Sequence, residues 1–199
     1  MSKKNVLLLV RSLYISFGGV ERMSIEIANE LSLKGYKVFI LTWDNDLDQK
    51  IPLDFYEIDK SISLIRLNYK SILKKNNSFV QIKRIFKIRR ILIQEKIDLI
   101  LAFVEGCYWN ALLAAVFTKI KIIALERTSP ERFEYISLKK YKQIIMNLFR
   151  FAHKITVQFP SYKNSYPSYL HKKINIIPNA VSIINLEKDF FDKKEKIIL

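Results

Sequence analysis

Residues 5–42 read NVLLLVRSLYISFGGVERMSIEIANELSLKGYKVFILT, and they decide the fold. Asn5 to Val10 is a continuous apolar run, the pattern of a strand covered on both faces. A loop carrying Gly18-Gly19 follows, and from Val20 the period changes. Met23, Ile27 and Leu31 recur on one helical face with Ile25 and Ala28 alongside, while Glu26 and Glu30 fall on the polar side. Gly35 stops this helix, because glycine tolerates the left-handed conformation a helix end requires. Tyr36 to Thr42 reads as a second strand. One βαβ unit of this kind favours a parallel sheet with helices on both faces.

The alternation continues outward. Phe55 to Ile58 and Ser63 to Leu67 read as short strands, and Ser78 to Lys96 as a helix. Leu99 to Phe103 reads as a strand, Tyr108 to Thr118 as a helix and Lys121 to Leu125 as a strand. Ser137 to Phe151 is helical in pattern and Lys154 to Gln158 strand-like. Pro160 to Leu170 is a helical turn region, and Ile174 to Ile177 is the last strand before Pro178. The apolar stretch Leu99 to Phe117 approaches the length of a membrane span, about 20 residues. Glu105, Gly106 and Asn110 fall near its middle and are costly at bilayer depth, so a strand, a turn and a helix fit better. Residues 1–185 read as one Rossmann-like α/β domain. Residues 186–199 read as a connector followed by the start of a new apolar run.

The chain has 199 residues, and half of them are hydrophobic, enough for a real core. A single cysteine excludes an intramolecular disulfide framework and a cysteine-rich zinc site; Cys107 reads as a small buried hydrophobe. His153 and His171 lack spaced partners, so no metal site is expected. The N-terminal apolar run is too short for a signal peptide, which points to the cytoplasm. The net charge is +15, which calls for an anionic partner. That charge is concentrated. Residues 70–96 hold nine Lys and Arg against Glu95 alone, and residues 137–154 hold five with no acid. Phe79, Ile82, Ile85, Phe86 and Ile93 give the first segment apolar anchors. With Lys83, Arg84, Lys87 and Arg90 it reads as a basic amphipathic helix that lies on an anionic membrane surface; the alternative is a solvated helix face. Nucleic acid is not an expected partner, since no recognised motif is present and aromatics do not interleave with the basic residues.

Candidate site residues follow the strand ends. Gly18, Gly19 and Glu21 lie between the first strand and first helix, where exposed N–H groups and the helix dipole favour a phosphate or a sugar hydroxyl; a plain tight turn is the alternative. The loop is neither a dinucleotide G-x-G-x-x-G nor a Walker P-loop, so no cofactor is expected. Glu126 and Arg127 follow a strand at the same edge. Arg127 suits a phosphate, with an internal ion pair or a solvated loop as the alternative. Glu105 follows the fourth strand, either as a general base toward an acceptor hydroxyl or as a helix-capping acid. Asn179 after Pro178 reads as a turn residue.

The run GGVERMSIEIANELSLKGYKVFILT resembles the N-terminal domain of family 4 glycosyltransferases of the GT-B fold. Asp98 to Phe103 (DLILAF), Ala124 to Pro130 (ALERTSP), Ile155 to Gln158 (ITVQ), Lys163 and Ile176 to Val181 (IIPNAV) match later signatures in order. The resemblance implies transfer from a nucleotide-diphosphate sugar to a lipid-linked or polysaccharide acceptor at the inner membrane face. It also implies that the family's donor site, an Arg/Lys pair and an E-x7-E region in a second domain, has no counterpart in these residues. On this reading the chain is inactive without a donor-binding lobe; the alternatives are a split enzyme with a separate donor-binding subunit, a truncated frame inactive by itself, and a non-catalytic membrane-surface module.

Overall fold

Alternation along the first strand sends Val6, Leu8 and Val10 to one face and Leu7 and Leu9 to the other, and both sets are buried. Two cores result, one on each face of a single sheet. The computed structural model describes residues 4–14, 18–45, 50, 52, 56–68, 78–134 and 142–179. Its strands are β1 (Asn5–Leu9), β2 (Lys37–Thr42), β3 (Ser63–Arg66), β4 (Leu99–Phe103), β5 (Lys121–Leu125), β6 (Lys154–Val157) and β7 (Ile174–Ile176). They lie in the order β3-β2-β1-β4-β5-β6-β7, with every pairing parallel. Leu8 stands opposite Ile40 on one side and Leu101 on the other, so β1 is covered by strands as well as by both layers. This is the α/β, Rossmann-like sheet that the sequence pattern implies.

Helix α1 (Gly19–Leu33) covers one face through Met23, Ile25 and Ala28. It ends as expected at Gly35, whose φ is 81°. There the Gly35 N–H donates to the Ser32 carbonyl and the Tyr36 N–H to the Leu31 carbonyl, the paired bonds of a Schellman cap. The opposite face is covered by α2 (Ser78–Gln94), α3 (Val104–Ala114) and α4 (Lys142–Leu148), with α5 (Pro160–Asn164) beyond. Tyr108 of α3 stacks on Phe149, ring centres 4.9 Å apart, and its hydroxyl donates to the Leu148 carbonyl at 2.8 Å.

Several expected boundaries move. No strand forms over residues 56–58, because β1 and β3 already take both edges of β2; Tyr56 and Ile58 pack on the α1 side as loop residues. Phe55 lies outside the described residues. Helix α3 begins at Val104, not Tyr108. The turn after β4 is completed within one residue, Val104 at φ 57°, and the helix then starts at once. It ends early because Phe117 is left-handed at φ 60° and Thr118 bonds the Ala115 carbonyl. The expected helix over 137–151 is α4 followed by a 3-10 turn at Phe149–Phe151; residues 137–141 lie outside the described residues, as does the connector at 186–199. No helix among the described residues is long and apolar enough to cross a membrane.

Candidate functional site

The order of strands reverses between β1 and β4, and ligands in open α/β sheets bind outside the carboxyl ends at such a point. The glycine loop leaves β1 there, and Glu105 follows β4 there. Glu126 and Arg127 follow β5, the next strand over. The fold therefore gathers the glycine loop, Glu105, Glu126 and Arg127 along one edge.

Neither Gly18 nor Gly19 takes a left-handed conformation; Gly18 is extended at φ −138°. Their use is spatial. A Cβ at Gly18 would collide with the carboxylate of Glu21, which folds back over it, while Gly19 has open space around it. The start of α1 is thus backed by an acid, with open space around Gly19. Ser16 and Phe17 lie outside the described residues. On the far side of the loop, Asp44 accepts hydrogen bonds from the Ser12 hydroxyl and, at 2.9 Å, from the Leu13 N–H, which ties the chain after β1 to the end of β2.

The two glutamates are joined by a residue the sequence pattern does not single out. Arg132, in the 3-10 turn Pro130–Glu134, pairs through Nη2 with Glu105 and stands 3.6 Å from Glu126. Glu126 is 1 % exposed, and its Oε1 has no hydrogen-bond partner among the described residues. Burial pushes its carboxyl up to about 8. Glu105 retains some exposure, so of the two carboxylates it is the one a ligand can reach. Tyr166 is coupled to Glu126 and Arg132 by charge; its hydroxyl is buried with no hydrogen-bond partner among the described residues and is driven far up by desolvation and by the charge of Glu126.

Arg127 is turned inward. It is 8 % exposed, and its Nη1 donates to the Ile177 carbonyl at 3.2 Å and to Asn179 Oδ1 at 3.3 Å. Gln158 Nε2 also donates to Asn179 Oδ1, at 2.9 Å. Asn179 is therefore an acceptor that fastens the 177–179 segment across β5 and β6, more than a turn residue. A groove of about 320 Å³ runs between this segment and α1, with Arg127 in its wall.

The basic helix also needs a correction. Arg84 does not face solvent. It is 4 % exposed, stacked 4.1 Å over the Trp43 ring, because its position falls on the buried side of α2 beside Val80 and Ile88. Lys83, Lys87 and Arg90 are exposed; Lys87 Nζ donates to the Leu67 carbonyl at 2.8 Å. Phe79, Ile82, Phe86 and Ile93 are exposed too, on the outer side of the helix, while Ile85 packs against the core. Cys107 is buried, and desolvation raises its thiol far above the ordinary range against the opposing charges of Arg11 and Arg84. It is an inert packing residue. Among the described residues no three His, Cys, Asp or Glu converge as a metal site.

The sequence pattern of Glycosyltransferase Family 4 matches residues 17–183. No curated protein matches the chain. Among solved structures, a glycosyltransferase from Rickettsia africae is 23% identical with a TM-score of 0.65, over 97% of this chain and 48% of that one. Sucrose-phosphate synthase from Thermosynechococcus elongatus superposes with a TM-score of 0.70 at 12% identity, over 88% of this chain and 48% of its own. Alr3699/HepE from Anabaena, in complex with UDP-glucose, gives 0.60 at 15% identity, over 89% and 44%. The chain spans about half the length of these structures, and they share its fold.

Proposed function

The chain belongs to glycosyltransferase family 4, and from that premise we propose that it forms the acceptor side of a transferase moving a sugar from a nucleotide-diphosphate sugar to a lipid-linked or glycan acceptor. The observation that carries this is the placement of Glu105, paired with Arg132, after β4 at the carboxyl edge where the glycine loop follows the neighbouring β1. An acceptor hydroxyl at that edge attacks the anomeric carbon of the donor sugar. The bond from that carbon to the diphosphate breaks, and in this reading Glu105 takes the hydroxyl proton. Arg127 serves the same edge at one remove, by holding Asn179 in place. The nucleotide sugar is supported by the neighbour solved with UDP-glucose. A lipid-anchored glycan is supported by another neighbour, a lipopolysaccharide outer core galactosyltransferase, TM-score 0.64.

Since the chain spans about half of its neighbours, transfer in this reading needs a second, donor-binding lobe in the same polypeptide or in a separate subunit. A cleft needs two walls to exclude water and orient both substrates. The domain is the region 1–185, with 186–199 leading toward that lobe. Calorimetry tests the assignment directly. Polyprenyl-diphosphate-linked sugar should bind the chain at least a hundredfold more tightly than UDP-glucose; the reverse order refutes an acceptor-side role.

The same reading places the chain at the inner face of an anionic membrane. Helix α2 has no acidic residue, and its exposed face carries an apolar stripe flanked by Lys83 and Arg90. Such a helix lies in the interface plane, with each Lys or Arg near the surface worth about 1 kcal/mol. Co-sedimentation with phosphatidylglycerol vesicles should fall when Lys83 and Arg90 are made Gln. Unchanged binding would remove α2 from the membrane surface.

A further inference from the structure

At the amino-terminal rim of the sheet, opposite the acceptor edge, a groove of about 600 Å³ opens between the end of α3 and the 3-10 turn after α4. That volume is within the range of small-molecule sites. Its lining includes Phe117, 100% exposed, Phe151, 68% exposed, and Ile120. A single exposed phenylalanine is ordinary. Two exposed rings on the lining of one groove form a patch that calls for an occupant. Phe117 is also held at φ 60°, a backbone region that bulky side chains avoid. The chain thus accepts both solvent exposure and local strain to keep this ring at the lip of the groove.

The polar side chains of the groove are Lys121, Lys173, His153 and a threonine, with no acid among them. Lys173 is anchored, its Nζ donating to the Ala152 carbonyl at 2.8 Å. Lys121 is exposed; its backbone N–H donates to the Asp98 carbonyl, and its ammonium has no ion-pair partner among the described residues. A groove that sets apolar side chains beside lysines with no acid fits an amphiphile with an anionic head. A second copy of this chain would bring like charge to like charge, which disfavours it. Arg89, between Phe86 and Ile93, donates to the Ala114 and Val116 carbonyls at 2.9 and 2.7 Å, which fixes the Phe117 turn against α2.

We propose that this groove takes one anionic phospholipid, its acyl chain between Phe117 and Phe151 and its phosphate at Lys121. The site is separate from the acceptor edge, and a lipid in solution tests it without relying on membrane docking by α2. The full chain is titrated calorimetrically with dihexanoylphosphatidylglycerol below its micellar concentration, with dihexanoylphosphatidylcholine and with inorganic phosphate. Binding should be at least tenfold tighter for the glycerol lipid than for the choline lipid, and phosphate should give no heat. F117S and F151S should each weaken it at least tenfold, and K121Q should weaken it for the anionic lipid alone. Both phenylalanines are exposed, so thermal melts of these variants should match the parent. Replacing Lys83 and Arg90 should lower vesicle binding and leave this titration unchanged. Affinity untouched by F117S and F151S overturns the proposal, as does phosphate binding as tightly as the lipid. A dimer in sedimentation that F117S dissolves, with no lipid heat, also overturns it and assigns the groove to self-association.

Discussion

Glu126 offers a measurement that separates a buried acid from a buried ion pair. Its carboxyl is 1 % exposed and is pushed from 4.5 up to about 8, with desolvation as the cause. A carboxyl whose folded-state value lies above its unfolded value is favoured in its neutral form by the fold. Stability is therefore full below about pH 4.5 and falls as the pH rises toward 8, because the unfolded chain ionises first. Each pH unit well inside that interval costs about 1.4 kcal/mol. Allowing for the curvature at both ends, the loss relative to pH 5 is roughly 2–3 kcal/mol at pH 7 and roughly 3–4 kcal/mol at pH 8. Domains are commonly stable by only 5–15 kcal/mol, so the effect is large. Glu126→Gln keeps the shape and removes the titration. Urea unfolding at pH 5, 6, 7 and 8 should show the two proteins close together at pH 5, with the variant ahead by a gap that widens with pH. Parallel curves would refute the reasoning, and would mean that Arg132, 3.6 Å away, keeps Glu126 ionised throughout.

Other outcomes follow from single contacts. Phe149→Ala removes a fully buried ring stacked on Tyr108 and should cost about 3–5 kcal/mol in chemical denaturation. Gly35→Ala puts a Cβ at φ 81° in the α1 cap and should cost about 1 kcal/mol or slightly more, read the same way. Arg84→Ala should lower the melting temperature by several degrees while leaving vesicle binding unchanged, because the guanidinium stacks on Trp43 inside the molecule. Arg132→Ala should weaken acceptor binding in calorimetry by more than Glu126→Gln does, since it releases Glu105; equal effects would show that Arg132 does not orient Glu105.

The sheet was legible because hydrophobic period and turn chemistry agreed. Asn5 to Val10 reads as a doubly covered strand from its unbroken apolar run, and Gly35 marks a helix end through the one backbone region where glycine is needed. Boundaries failed where backbone conformation departed from residue type. Val104 and Phe117 adopt positive φ, which nothing about valine or phenylalanine announces, and these two residues set where α3 starts and stops. Phe55 to Ile58 carried strand composition, but both edges of β2 were already paired. The site was legible only as strand ends. Glu105, Glu126 and Arg127 were found because each follows an apolar run, whereas Arg132 sits in a turn without periodicity and is recruited by a contact across the fold. Arg84 misled because it belongs to a run of cations, and only the burial of its own side of α2 separates it from Lys83 beside it.

That last distinction changes how the charge of this chain acts. Arg84 packs on Trp43, Arg89 fastens the end of α3, Lys87 holds the Leu67 carbonyl and Lys173 holds the turn after α4. Four cations of the basic layer therefore act inward, as donors to rings and carbonyls, and salt screens such partly buried contacts weakly. Those turned outward, Lys83 and Arg90 on α2 and Lys121 at the groove, stand beside exposed apolar side chains. Membrane contact through this layer should then have two parts. The part due to Lys83, Arg90 and Lys121 should be lost between 0.1 and 0.5 M salt, as the screening length shrinks. The part due to Phe79, Ile82, Phe86, Phe117 and Ile93 should remain, because burial of apolar area does not depend on charge. Vesicle binding that vanishes completely in high salt would show that the exposed rings do not enter the bilayer, and the layer would then act by charge alone.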